Sequence, residues 1–170
     1  DALSMADSVM TFRMIVKEIA AMNNVHATFM PKPLEGVQGS GMHLHLSLFS
    51  GDTNAFYSQD DPNNLSPVAK SFMAGLLRHA AEITAVTNQT VNSYKRLVPG
   101  FEAPVHISWA RNNRSGLIRV PIPKRGSVSA TRIEYRSPDP ACNPYLAFSV
   151  ILAAGMKGIR EGYELESEAD

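Results

Sequence analysis

Two histidines one residue apart, His43 and His45, and a glutamate flanked by arginines, Arg132-Ile-Glu-Tyr-Arg136, are the groups in this sequence best suited to chemistry. In an extended strand alternate side chains share a face. Arg132, Glu134 and Arg136 then project together, and so do His43, His45 and Ser47. A carboxylate between two guanidiniums is costly to bury unless those charges are used. One of these histidines with Glu134 makes a nitrogen-and-oxygen half-site, suited to Mg²⁺ or Mn²⁺ and poor in ligands for Zn²⁺. Arg114, Arg119 and Arg136 carry planar guanidiniums that grip carboxylate or phosphate through two bonds at once. Arg114 and Arg119 are five apart, so in one regular strand they face opposite ways or serve different groups. Glu102, framed by Pro99-Gly100 and Pro104, is a carboxylate on a loop that can act as a lid. Each group alone has an ordinary reading as surface charge or packing. Together they favour a metal-bound anion.

Charge placement supports that reading. The chain has 170 residues, 44% hydrophobic and 19% charged, with zero net charge. Between Lys95 and Arg136, however, nine Lys and Arg stand against two acids, Glu102 and Glu134. Such a segment on a neutral protein suits an anion site better than a nucleic-acid surface, whose footprint is a basic domain. Its solvent-type aromatics, Phe101 and Trp109, with Tyr94 just before it, are irregularly spaced. The single cysteine, Cys142, excludes an internal disulfide and fits a reducing, cytoplasmic setting. The longest uncharged apolar run, Tyr145 to Met156, is too short to cross a bilayer, and no signal peptide stands at the start. The chain opens on Asp1, already in a helical pattern, and closes on an acidic stretch. It reads as a piece of a longer protein.

The elements that must position these groups follow from periodicity. Met5, Val9, Phe12, Val16 and Ile19 predict a helix over 4–22 with a core-facing stripe. A Gly-rich loop, 34–41, leads into residues 42–49, where His43, His45 and Ser47 alternate with Leu44, Leu46 and Leu48 as in a half-buried strand. Ser66-Pro67 and Asn143-Pro144 each combine an N-cap with Pro at the first helical position. They predict one helix to about Asn88 and another, apolar nearly all round, to about Ile159. Residues 89–103 read as loop, 105–110 and 115–121 as strands. The Arg132–Arg136 strand ends at Pro138-Asp139-Pro140. No Gly-x-Gly-x-x-Gly fingerprint or Walker A loop is present. The expected fold is α+β, an antiparallel sheet backed by helices, over residues 1–170.

At these residues the chain resembles glutamine synthetase of the long bacterial and archaeal type. The likeness runs through Ala27-Thr-Phe-Met-Pro-Lys-Pro33, Gly39-Ser-Gly-Met-His43, the segment Asn92 to Pro104, Asn113-Arg-Ser115, Arg132-Ile-Glu-Tyr-Arg136 and Pro138 to Ala147. The resemblance implies ATP-dependent ligation of ammonia to L-glutamate through γ-glutamyl phosphate, with two or more Mg²⁺ or Mn²⁺ ions per site. It implies that His43 and Glu134 ligate metal. Gly39, Arg96 and Arg136 would contact glutamate, and Arg114 would be shared between glutamate and nucleotide. His45, Ser47, Arg119 and Lys124 would face the nucleotide. Glu102 would shield the acyl phosphate and take the ammonium proton. Gln38 departs from the Asn common before Gly-Ser-Gly, and is set aside. The resemblance further implies a homododecamer. An N-terminal β-grasp domain and the remaining carboxylate ligands are expected before Asp1, so that this piece alone is inactive. The alternatives are a γ-glutamyl-polyamine ligase of the same superfamily and a non-catalytic relic with the same fold.

Overall fold

Asp1 caps the first helix, its carboxylate accepting the Ser4 backbone N–H at 2.9 Å. The structure is a computed structural model and describes residues 1–111, 115–121 and 128–169. That helix, α1, spans Ala2–Met22. The strands β1 (Leu44–Leu46), β2 (Phe49–Ser50) and β3 (Thr53–Asn54) follow. Then come the helices α2 (Pro67–Arg78), α3 (Ala80–Thr87) and α4 (Val91–Arg96). The strands β4 (His106–Ala110), β5 (Gly116–Arg119) and β6 (Ile133–Tyr135) precede the last helix, α5 (Pro144–Glu161).

Local chemistry explains most of the boundaries. Ser66 accepts the Ala69 N–H and Pro67 supplies a preset φ, so α2 starts there. Asn143 does the same for α5, accepting from Tyr145 and Leu146 before Gly162, at φ 63°, ends it. The expected 66–88 helix divides at His79, whose ring stacks on Tyr163 and meets Glu82 at 2.9 Å. The expected 89–103 loop contains α4, opened by a reciprocal Thr90–Ser93 capping box that the sequence reading missed.

Four strands form one sheet in the order β1-β6-β5-β4, and β2-β3 form a separate hairpin. The β1-β6 and β5-β6 pairs are antiparallel, as expected, but β4-β5 is parallel. Side-chain alternation specifies which face a residue occupies, not the direction of its neighbour, so the sequence could not decide this. Leu44, Leu46, Ile118, Ile133 and Tyr135 all join one hydrophobic cluster with Phe72, Leu76 and Ile151 from α2 and α5. The two helices cross closely at Gly75 and Gly158. A Cβ on Gly158 would lie 2.1 Å from the Ser71 carbonyl and 2.8 Å from the Gly75 Cα. Close-packed backbones at this crossing leave no room for a methyl group.

The core assignment for α1 is corrected by the structure. Met5, Phe12 and Ile19 are exposed, and only Ala6 on that helix is buried. Periodicity reports that a helix has an apolar stripe, not that anything lies against it. Arg13 ties α1 to the following fold, donating from Nη2 to the Cys142 carbonyl at 2.9 Å. Burial pushes the Cys142 thiol up to about 11, so it stays protonated. Among the described residues no helix is long and apolar enough to cross a membrane.

Candidate active site

Sheet register assembles the charged face. Across β1, β6 and β5 the directly paired residues are His45, Glu134 and Arg119. Their in-strand neighbours, Leu44, Ile133, Tyr135 and Ile118, belong to the core cluster, so these three project away from it. His43 lies two residues before His45, and Arg136 two after Glu134, on the same face by alternation. A one-residue slip would send the whole set into the core.

Glu134 is the hub. It is only 4% exposed. His43 donates from Nδ1 to its Oε1 at 2.8 Å, and Arg119 donates from Nη1 to its Oε2 at 2.7 Å. Arg136 Nε stands 3.8 Å from Oε1. Burial alone would raise the Glu134 carboxyl, but the hydrogen bond from His43 and the neighbouring cations hold it below its ordinary value. It is therefore ionised, a carboxylate ready for a cation. Burial keeps His43 below the ordinary imidazole value, outweighing the pull of Glu134. A neutral imidazole donating from one nitrogen keeps a lone pair on the other. The sequence expectation set Glu134 between Arg132 and Arg136. The structure sets it between Arg119 and Arg136, while Arg132 donates from Nε to His45 Nδ1 at 3.1 Å. A residue directly opposite on the next strand is about 5 Å away, nearer than the i+2 residue on the same strand at about 7 Å.

Beside this hub lies an open cleft of about 370 Å³, lined by Gly39, Gly41, His43, Arg96, Glu102 and Arg136 among others. Arg96 arrives on α4 and Arg136 follows β6, so two guanidiniums from distant segments meet at one wall. Arg136 donates from Nη2 to the Glu102 carbonyl at 3.2 Å, joining the loop to the sheet. Glu102 is exposed and holds φ 50°, a left-handed conformation uncommon for a non-glycine residue. Strained residues of this kind concentrate at ligand clamps and switches. Lys32 reaches over the Phe101 ring at 3.6 Å and also donates to the Val37 carbonyl, bracing the loop from outside.

The structure thus brings Gly39, His43, Arg96, Glu102, Arg136 and, adjoining them, Glu134 into one place. His45, Ser47 and Arg119 sit apart from that cleft; His45 and Arg119 occupy the strands flanking Glu134. Arg114 and Lys124 lie outside the described residues. Gln38, set aside in the sequence reading, lines the cleft. Gly39 and Gly41 line the cleft and also allow close packing behind it: a Cβ on Gly39 would meet the Pro31 carbonyl at 2.5 Å, and one on Gly41 would meet Arg96 Nη2 at 2.4 Å. Sequence reasoning also missed Asn88 and Asp139, both fully buried behind the arginines. The paired signals were faint: a helix-ending Asn and an acid between two prolines.

A divalent cation fits these residues in part. His43 and Glu134 supply the nitrogen and ionised-oxygen donor character that suits Mg²⁺ or Mn²⁺, but here His43 faces Glu134 through its Nδ1–H and keeps its lone pair on Nε2. Among the described residues no three His, Cys, Asp or Glu converge as a complete set of ligands.

The family model for the glutamine synthetase catalytic domain matches residues 1–170. The chain is 62% identical over 170 residues to a glutamine synthetase of Mycolicibacterium smegmatis, covering all of this chain and 38% of that protein. It is 60% identical over 157 residues to one from Thermotoga maritima, covering 92% of this chain and 35% of that protein. The glutamine synthetase of Plasmodium falciparum, solved by cryo-electron microscopy, superposes with a TM-score of 0.93 at 38% identity. That match covers all of this chain and 34% of the other. The chain therefore spans well under half the length of the relatives it matches.

Proposed function

The chain belongs to the glutamine synthetase catalytic-domain family, and on that premise we propose that, within a protein of its relatives' length, it serves the ATP-dependent ligation of ammonia to L-glutamate. The supporting observation is the meeting of two buried arginines, a loop-borne glutamate and a neutral His43 at one cleft, with His43 hydrogen-bonded to the ionised Glu134 beside it. In the proposed reaction the γ-phosphoryl group of ATP passes to the glutamate γ-carboxylate and ADP leaves. Ammonia then attacks the acyl carbon and phosphate leaves. Phosphoryl transfer is mainly positioning and charge neutralisation, which fixed arginines supply.

Each residue has a part in this proposal. Arg96 and Arg136 grip carboxylate oxygens of glutamate, with Gly39 offering a backbone contact and Arg136 also meeting the transferred phosphate. Glu102 takes the proton from ammonium, and its loop excludes water from the acyl phosphate, which would otherwise hydrolyse. His45, Ser47 and Arg119 face the nucleotide. Arg114, shared between glutamate and nucleotide, and Lys124, toward the nucleotide, keep the roles that the resemblance implies. His43 and Glu134 would hold one Mg²⁺ or Mn²⁺, which when bound neutralises phosphate charge. The remaining ligands and the homododecamer belong to the same proposal, as does a cytoplasmic setting. The 170 residues alone are then inactive, because among those described they offer two ligands of a larger set.

The test is an assay of the full-length enzyme with ATP, glutamate and either ammonia or putrescine. Glutamine formation with ammonia is expected. Turnover with putrescine and none with ammonia would assign the protein to γ-glutamyl-polyamine ligation instead. In the same enzyme Glu134→Ala is expected to abolish synthesis and weaken Mn²⁺ binding measured by titration calorimetry. Near-normal activity at ordinary Mg²⁺ would remove Glu134 from the site.

A further inference from the structure

Arg96 reaches the cleft while only 4% exposed, so something fixes a cation in a nearly dry wall. Two backbone carbonyls do so directly. Arg96 donates from Nη1 to the Ser137 carbonyl at 2.7 Å and from Nη2 to the Arg136 carbonyl at 3.2 Å. The Ser137 carbonyl is held in turn. Asn88, at the end of α3, donates from Nδ2 to it at 2.8 Å. That oxygen has two lone pairs, so one donor is Arg96 and the other is Asn88.

Asn88 is itself fully committed. An amide side chain has two N–H donors and two acceptor positions. Its second N–H goes to Asp139 Oδ2 at 3.2 Å, and its Oδ1 accepts from Ser137 Oγ at 2.8 Å and Thr87 Oγ1 at 2.9 Å. Asn88, Thr87 and Asp139 are all at 0% exposure, and Ser137 is at 4%. Asp139 also supplies the negative charge that partly offsets the cost of burying Arg96. Buried polar networks with every member satisfied specify one geometry, because any other leaves a donor or acceptor unmade.

We propose that Asn88 is a positioning residue for the glutamate site, which fixes the Ser137 peptide against which the Arg96 guanidinium is set, although Asn88 itself lies outside the cleft. The inference rests on the reading of Arg96 as a grip on the glutamate carboxylate. Without Asn88 the Ser137 carbonyl loses one of its two donors and Asp139 loses a partner. The peptide is then free to turn, and Arg96 turns with it.

The experiment uses the full-length enzyme and the variants Asn88→Ala, Ser137→Ala and Arg96→Lys, together with each of the first two combined with the third. Asn88→Ala is expected to raise the KM for glutamate about tenfold and to leave the KM for ATP within about twofold, since a misplacement of about 1 Å at a positioning group costs up to about 100-fold. Ser137→Ala, a gentler change that keeps the backbone carbonyl, is expected to act in the same direction by about threefold. It carries the test if Asn88→Ala does not fold. In the Arg96→Lys background both changes should move the glutamate KM by less than about twofold, because residues that act through one group are not additive. Equal rises in the KM values for both substrates, or full additivity with Arg96→Lys, would overturn the proposal and leave Asn88 as scaffold. If Arg96→Lys itself left the glutamate KM unchanged, the grip assignment would fail and take this inference with it.

Discussion

Replacing Gly41 by alanine is expected to lower kcat/KM for glutamate by about 10- to 100-fold in the full-length enzyme while leaving it folded. The magnitude follows from three distances. A Cβ at this position lies 2.4 Å from Arg96 Nη2, 3.1 Å from Arg96 Cζ and 3.1 Å from His43 Nε2. Ordinary van der Waals contact begins near 3.4 Å, so the guanidinium must retreat by about 1 Å. Its Nη2 bond to the Arg136 carbonyl is already 3.2 Å, and a further shift of about 1 Å takes it beyond hydrogen-bond range. The backbone needs no change, because Gly41 is not among the glycines with positive φ. The clash is with a side-chain end and not with backbone, but that end is buried and hydrogen-bonded, so the folding cost should be about 1–3 kcal/mol. The assay is steady-state kinetics with glutamate varied at saturating ATP and Mg²⁺, with the reciprocal ATP series and a thermal melt as controls. A kcat/KM for glutamate within about twofold of the parent, in a folded enzyme, would refute the reasoning. It would mean that Arg96 is not held against Gly41 in the working site. An equal loss against ATP would instead point to general damage.

Glu102→Ala in the same enzyme is expected to spare ATP binding but to raise ADP released per glutamine formed, as acyl phosphate is lost to water; an unchanged ratio would exclude the shielding role. Gly158→Ala should lower the urea midpoint, because separating α2 and α5 costs about 1–3 kcal/mol against about 1 kcal/mol gained in helix propensity. A raised midpoint would contradict the 2.1 Å approach to the Ser71 carbonyl. Burial alone would raise the Asp61 carboxyl, but hydrogen bonds from Lys70 and from the Leu65 and Asn63 N–H groups hold it below its ordinary 3.8. Its contribution is then complete above that unfolded value and lost as pH falls through the depressed folded one. Asp61→Asn should accordingly lower the urea midpoint at neutral pH and flatten its fall between about pH 5 and pH 2; a parallel offset across that range would count against it.

Much of the fold was legible because it rests on local rules. The caps at Ser66 and Asn143 and the alternation about Glu134 each depend on residues within a few positions of one another. So did the expectations that Glu134 and Arg136 share a face and that His43 and His45 share one; that the two faces meet did not, since His43 lies 91 residues from Glu134. The capping box that opens α4 was equally local and was passed over, inside a segment read as loop from its Pro99-Gly100 pair.

The sequence by itself determined which residues can carry charge, which alternate together and where helices begin. It could not determine what lies opposite what. That Arg119 rather than Arg132 meets Glu134, that β4 runs parallel to β5, and that the α1 stripe stays exposed are facts about pairing partners far apart in the chain. The same holds for Asn88, which is 49 residues from Ser137 and whose place at a helix end says nothing of that partner. Periodicity is set by the geometry of one strand or helix. Contact is set by loop closure and by the packing of whole elements, and that information is spread across the fold.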